Sequence, residues 1–478
     1  MEKAENKTKS SSEVTNHSQS EVEIGLSSGV EIQQYPNYKP SGVTWLGEIP
    51  EHWGVKKFKF VLNQSKGLTI TKHNLGNEGV CCVNYGEIHS KYGFELDITK
   101  HKLKCVNKEY LKTDSNSLLN KGDFVFADTS EDIEGSGNFT HLKSSDKIFA
   151  GYHTVIARPK IEIESLFLAF VFDSTSFRNQ IRKKVKGVKV YSITQSVLKE
   201  TNIWIPLLQE QIAIAHFLDD KTTKIDEAIA IKEQQINLLK ERKQILIHKA
   251  VTRGVGSSSG VEMKDSGVEW IGKIPAHWEV KKLFGICDFV RGNSPFSKDE
   301  LLSTGDYVAL QYGKTYKVDE IDDKYNFYVN DEFYKESQIV NFGDTILVST
   351  SETIEDLGHS AYYNRSDLGL LGGEQMVLKP KKEKLDGHYL YFISKIFSKE
   401  LRKYATGIKV FRFNVNNLKT IYASVPPLSE QKEISAYIET ASKKIETAIG
   451  LKQQEIAKLK EYKSSIINSV VTGKVKVC

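Results

Sequence analysis

A long internal repeat constrains this chain more than any other feature. Ser41 to Phe58 reads SGVTWLGEIPEHWGVKKF, and Ser266 to Leu283 reads SGVEWIGKIPAHWEVKKL. Further on, Pro206-Leu207-Leu208-Gln209-Glu210-Gln211 is answered by Pro427-Leu428-Ser429-Glu430-Gln431, and each opens a long helical pattern. Solenoid repeats run about 20–50 residues. A period this much longer means a duplicated, domain-sized half. Two similar halves in one chain suggest a pseudo-two-fold molecule that reads a two-part target.

The chain of 478 residues has room for two cores plus connectors. Its 39% hydrophobic and 10% aromatic content is that of a globular protein. No apolar run reaches the ~18 residues of a membrane span. Met1 to Gly29 is polar and lacks the apolar core of a secretory signal. The cysteines, Cys81, Cys82, Cys105, Cys287 and Cys478, form no CxxC pair and no zinc-like spacing with histidine. Free thiols in a reducing cytoplasm are expected. A net charge of +5 permits nucleic-acid contact without demanding it.

Residues 1–34 are too polar to offset ordering entropy and read as a disordered tail. Residues 35–207 form a first globular domain that begins with the anchor repeat. In each anchor two tryptophans (Trp45 and Trp53; Trp270 and Trp278) flank an Ile-Pro step, which predicts an extended or turn segment. Short β-like runs follow, including Val80–Tyr85 with Tyr307–Tyr312 and Asp123–Ala127 with Asp344–Val348. Helical runs are expected over 165–182 and 387–404. Residues 208–253 form a long helix, 254–262 a flexible linker, 263–427 the second domain, and 428–478 the second long helix. Apolar residues step by four and three from Leu218 to Ala250 and from Ile438 to Val470, a coiled-coil seam. The two helices most simply pair with each other. Lys232, Lys243, Lys452 and Lys463 interrupt the seam; they set its register or snorkel from its edge.

The doubled SGVxWIGxIPxHWxVKK anchor, the P-L-x-E-Q helix entry and the closing Val-Thr steps (Val251-Thr252, Val471-Thr472) resemble the specificity subunit of type I restriction–modification systems. The resemblance runs from about residue 35 to the end. It implies an α+β fold with two pseudo-symmetric target-recognition domains joined by a central antiparallel coiled coil of two long helices. It implies one half of a bipartite DNA site per domain. By analogy with dimeric readers, a fixed helix length would hold the half-sites about one DNA turn, roughly 34 Å, apart. Two modification (methyltransferase) subunits would dock on the helices, and translocase/nuclease restriction subunits would join them. S-adenosylmethionine, ATP and Mg²⁺ would then belong to those partners, with no cofactor in this chain. The polar N-terminal extension departs from the family pattern.

The residues themselves suggest no catalysis. The one Pro-Pro step, Pro426-Pro427, lacks the Asn/Asp and aromatic flanks of an amino-methyltransferase loop. Gly267 to Lys273 supplies G-x4-G-K, but Ile274 stands where a phosphate-binding loop needs a hydroxyl, so turn glycines are expected. His153 and Glu374 occupy equivalent places, an exchange that no catalytic role would survive.

DNA contact has positive signals. Arg178, Arg182, Lys183, Lys184, Lys186 and Lys189 surround Gly187, with Tyr191 beyond. Lys399, Arg402, Lys403, Lys409 and Arg412 surround Gly407, with Phe411 at the Tyr191 place. Cations beside a glycine turn suit phosphate; a solvated helix face is the plainer reading. Lys100, Lys102 and Lys104 would share one face of a strand, or guard an edge. Thr129-Ser130-Glu131 and Thr350-Ser351-Glu352 offer groups for base edges, or cap turns. Gln311, Tyr312 and Lys314, and Asn84, Tyr85 and Glu87, are further base-reading candidates. The rival readings are a coiled-coil scaffold without a DNA role and a self-contained methyltransferase or nuclease.

Overall fold

The computed structural model describes residues 33–187, 189–256 and 261–477. They divide into two compact units. One holds the described residues up to Ile225 together with those from Lys460 on; the other is Asp226–Leu459. The tail expected over 1–34 lies outside the described residues except for Gln33 and Gln34, and so does the linker stretch 257–260.

Each anchor is a small hairpin. Tyr38–Pro40 pairs antiparallel with Glu48–Pro50 in the first unit, and Met263–Asp265 pairs with Lys273–Pro275 in the second. The intervening turns need left-handed backbone at Gly267 (φ 70°) and Gly272 (φ 68°), which accounts for glycines that mimic part of a phosphate loop. The tryptophan after each hairpin, Trp53 or Trp278, is fully buried. Next, Gly54–Lys57 pairs with Asn202–Ile205, and Glu279–Lys282 with Tyr422–Val425. These two-stranded clasps bring the start and end of each globular domain together.

Within the first domain, strands Leu62–Lys66, Thr154–Pro159, Phe124–Ala127 and Phe139–His141 lie side by side, all antiparallel. The second domain repeats this order with Cys287–Arg291, Gln375–Pro380, Thr345–Val348 and Ser360–Tyr363, and Glu320–Ile321 adds a fifth strand in parallel. A second, smaller sheet in each is built on one parallel pair, Val80–Val83 with Ile148–Ala150 and Tyr307–Leu310 with Gly369–Leu371. The period-two alternation of strands explains the layering. Phe124 and Phe126 face one core with Phe58, Phe139 and Phe172, whereas Val125 and Ala127 face another. In the second domain Leu347 and Ile346 divide in the same way. The repeated Gly-Asp step before these strands also has a physical cause. Gly122 (φ 91°) and Gly343 (φ 92°) make the turn, and the buried Asp123 and Asp344 carboxylates accept from the backbone N–H of Asn120 and Asn341 at 2.8 and 2.9 Å.

The helix expected over 165–182 is broken. It runs Ser165–Asp173 and restarts at Thr175, because Ser174 is extended and its Oγ accepts from the Phe177 N–H at 3.2 Å, starting a new cap. The helix expected over 387–404 runs Gly387–Leu401 and tightens to a 3₁₀ turn over Arg402–Tyr404.

The long helices are Leu208–Arg253 (46 residues) and Leu428–Val471 (44 residues). Their Glu-Gln entries join the parts of each unit. Glu210 receives His52 Nε2 at 2.8 Å and the Trp53 indole N–H at 3.1 Å; Glu430 receives His277 Nε2 at 2.7 Å and the Trp278 indole N–H at 2.8 Å. The neighbouring glutamines, both buried, hold the domain. Gln211 Oε1 accepts from Glu164 N at 2.9 Å and Gln431 Oε1 from Asp386 N at 2.8 Å, at the caps of the domain helices. The helix ends serve the other repeat. Gly254, after the first helix, lies against Trp278, and Gly473, after the second, lies against Trp53. Each unit therefore combines one anchor, one domain and the beginning of one helix with the end of the other.

Along the helices, the seam positions Leu218, Ile225, Ile229, Ile236, Ile438, Ile445, Ile456 and Val470 are buried. In the second unit the pairing is antiparallel: Lys232 meets Glu455 at 2.6 Å and Lys243 meets Glu446 at 2.6 Å. Both lysines are about three-quarters covered, with stems on the seam edge and ammonium groups reaching across.

Candidate nucleic-acid interface

The two kinds of candidate residue converge in each unit. Thr129–Ser130 pairs antiparallel with Tyr191–Ser192, placing Tyr191 opposite Ser130. Thr350–Ser351 pairs with Phe411–Arg412, placing Phe411 opposite Ser351 and Arg412 opposite Thr350. Both partner strands belong to tight hairpins, closed by bridges between Lys186 and Ser192 and between Thr406 and Arg412. Glycine is required at the turn: a Cβ on Gly187 would sit 2.2 Å from Val190 O, and one on Gly407 2.0 Å from Val410 O.

Several predicted DNA contacts have other work in the fold. Arg178 is held by Asp173 at 2.9 Å and by Asn138 Oδ1 at 2.6 Å. Arg182 donates to Glu134 O at 2.6 Å, and burial pushes its guanidinium below the usual range. Arg402 donates to Leu357 O at 3.1 Å and to Glu355 O. These three arginines fasten the loop after the Thr-Ser strand. Ser130 and Ser351 are buried, and their Oγ atoms accept from Asp132 N at 3.4 Å and Thr353 N at 3.2 Å, so they cap turns. Asn84 and Glu87 close a capping box on the helix Tyr85–Ser90. Lys184 donates to Glu200 O at 3.1 Å and Lys399 to Gln244 Oε1 at 3.3 Å. Lys314 lies 4.3 Å from the Phe327 ring centroid. The strand near Lys100 begins only at Lys104, so the three lysines do not share a strand face; Lys100 pairs with Asp97 at 3.6 Å.

What remains is a compact basic surface on each hairpin. Lys183, Lys186, Lys189, Lys409 and Arg412 are exposed, with no carboxylate in ion-pair range among the described residues. Lys403 is exposed and pairs with Glu400 at 2.6 Å. Thr129, Thr350, Tyr191 and Phe411 are half-buried beside this surface.

Next to the first hairpin lies a concavity of about 750 Å³ lined by Tyr85, His89, Thr129, Glu131, Asp132 and Val190, among others. His89 anchors it through Thr129 O at 2.8 Å and Asn138 Nδ2 at 2.9 Å. Tyr85 packs edge-on against His153, with centroids 5.3 Å apart. His153 (φ 55°) and Glu374 (φ 65°) share left-handed backbone, a conformational requirement that fits their exchange. The second unit puts Tyr312 beside Ser351, and Tyr312 stacks on Tyr316 at 5.5 Å. The platform is thus constant and its lining varies. Hydroxyls, imidazoles and the exposed Glu131 and Glu352 carboxylates are groups that can meet base edges in a groove. Sequence reasoning missed His89 and Asn138, because neither carries a local motif. Among the described residues no cluster of His, Cys, Asp or Glu could hold a metal, and no helix is long and apolar enough to cross a membrane.

Comparison with known proteins adds to this geometry. The family model for the type I restriction modification DNA specificity domain matches twice, over residues 50–241 and 275–461. A Methanocaldococcus jannaschii protein assigned as the type I restriction enzyme MjaX specificity subunit is 27% identical over 441 residues, covering 91% of this chain and 96% of that protein. The MjaVIII specificity subunit of the same organism is 25% identical over 350 residues, covering 70% and 77%. A solved chain from work on complex assembly and conformational transition of the type I R-M system superposes with a TM-score of 0.65 at 16% identity, covering 88% of this chain and 98% of its own. With both specificity domains matched over more than half its length, the chain belongs to the type I restriction–modification DNA specificity family and is a specificity subunit.

Proposed function

We propose that this chain is the non-catalytic reading subunit of its complex. Each domain engages one half of a bipartite double-stranded DNA target, and the long helices carry two methyltransferase subunits, which restriction subunits join. The observation that carries this reading is the platform built twice. The same hairpin, arginine brace and Thr-Ser strand recur, but beside Tyr85 and His89 in one unit and Tyr312 and Tyr316 in the other. A common scaffold suits the phosphate backbone, and a changed lining suits two different half-sites. S-adenosylmethionine, ATP and Mg²⁺ belong to the partner subunits in this reading. Docking is supported by a second apolar line on the first long helix: Ile231, Leu238 and Ile245 are seven apart and 56%, 56% and 46% exposed.

Binding of the complex with its methyltransferase to target DNA, titrated against salt, tests the proposal. Replacing Lys183, Lys186 and Lys189 by alanine should weaken binding to all sequences and reduce the salt slope by about 1 for each phosphate no longer neutralised. Salt-insensitive or absent binding by the parent complex would favour a scaffold without a DNA role.

A further inference from the structure

Both hairpins carry an aliphatic tip that the fold does not use. Ile408 is 97% exposed, Val410 37% and Val190 53%. The segments read Gly187-Val188-Lys189-Val190-Tyr191 and Gly407-Ile408-Lys409-Val410-Phe411, so a lysine sits among branched aliphatics both times. An isolated exposed aliphatic is ordinary. The same sequence pattern recurs in both hairpins, and at one pair of matching positions, Val190 and Val410, both side chains are exposed, which asks for a partner.

Resting on the DNA-reading function above, we propose that these tips are sequence-tolerant wedges. Each presses an aliphatic side chain against a base step of the duplex from the minor groove, while neighbouring cations hold the flanking phosphates. Four observations point there. Exposed cations neighbour each tip in sequence, Lys186 and Lys189 in the first hairpin and Lys409 and Arg412 in the second, complementary to a polyanion. The second is braced: Thr406 and Arg412 exchange backbone hydrogen bonds of 3.0 and 2.9 Å, and the strand behind pairs with Thr350–Ser351. The arginine braces, Arg182 to Glu134 O and Arg402 to Leu357 O, tie the base of each platform down. Finally, the tip sequences are alike in two units whose clefts differ, so they cannot distinguish two half-sites. The minor groove presents a degenerate pattern, and apolar insertion at a base step depends little on base identity. A single aliphatic on a cationic hairpin also offers too little apolar area to anchor a protein partner.

The test uses the complex with its methyltransferase on duplexes carrying the mapped target, with 2-aminopurine placed at successive steps through and beside each half-site. Protein binding should raise 2-aminopurine fluorescence at one step per half-site. Ile408→Ala should abolish the rise in the half-site of the second domain only. It should weaken binding about tenfold, the effect of withdrawing one aliphatic side chain from a buried site, and leave the choice of target unchanged. Because the Ile408 side chain is exposed, folding of the variant is not at stake, and circular dichroism checks it. Normal binding by the parent complex with no fluorescence rise at any step overturns the wedge and leaves DNA reading intact. No DNA binding by the parent complex overturns both. If Ile408→Ala releases the methyltransferase during size-exclusion chromatography, the tip is a protein contact and the wedge is wrong.

Discussion

His141 shows how a single residue sets a pH limit on this fold. It lies fully buried in the first domain, stacked on Phe124 with centroids 4.8 Å apart, and neither ring nitrogen has a hydrogen-bond partner among the described residues. Burial first, then the charge of Lys143, lowers its pKa from 6.5 to about 4. Below 6.5 the unfolded chain takes up a proton that the folded chain refuses. The stabilisation is therefore complete above 6.5 and is lost as the pH falls toward 4, to a total of roughly 3 kcal/mol. His141→Phe should flatten that part of the stability-against-pH curve in urea titrations; an unchanged slope would show that the ring is not buried neutral. Glu430 makes a second residue-scale case. Its removal in Glu430→Ala leaves the Trp278 indole N–H without its acceptor and should cost about 1–3 kcal/mol in thermal unfolding. The importance of Glu210 and Glu430 was legible as a repeat, but their role was not, because histidine, tryptophan and glutamate lie more than a hundred residues apart. The bracing role of two arginines was hidden in the same way. Arg178 and Arg182 stand in a basic run, and only the return of the 134–138 loop toward them in space makes them braces.

Among the elements, the long helices were readable, because an apolar period sustained over so many turns has one interpretation, although the second, expected to run on to 478, ends at Val471. The short elements were not. Ser174 breaks a helix inside an uninterrupted apolar run by capping a new start, and Lys100 to Lys104 alternates like a strand where most of it is turn. The antiparallel pairing puts its own register to the test. Lys232→Glu should weaken the helix pair only slightly, since the Glu455 side chain is 46% exposed and water screens the pair. Adding Glu455→Lys should restore most of the loss. A double variant no better than the single would mean that this lysine is only snorkelling from the seam edge.

At the scale of the whole molecule, duplication explains why the chain is organised as it is. The repeat supplies two copies of one solution, the anchor clamped by the Glu-Gln helix entry, and each long helix begins in one unit and ends in the other. Function follows where the copies stop agreeing. Replacing the first domain, residues 58–201, with that of a relative should change one half of the recognised sequence and leave the other half and the spacer. A change in both halves would refute the modular reading. Lengthening both long helices by one heptad should lengthen the spacer between unchanged half-sites, and an unchanged spacer would refute the idea that the helices set it.

Whether this chain chooses a bipartite DNA sequence for modification can be read from single-molecule methylation sequencing of host DNA, with the gene present and deleted. Deletion should remove one methylated motif made of two short specific parts separated by a fixed unspecific spacer. Persistence of every methylated motif after deletion, in cells where the partner methyltransferase is shown to be active, would contradict it.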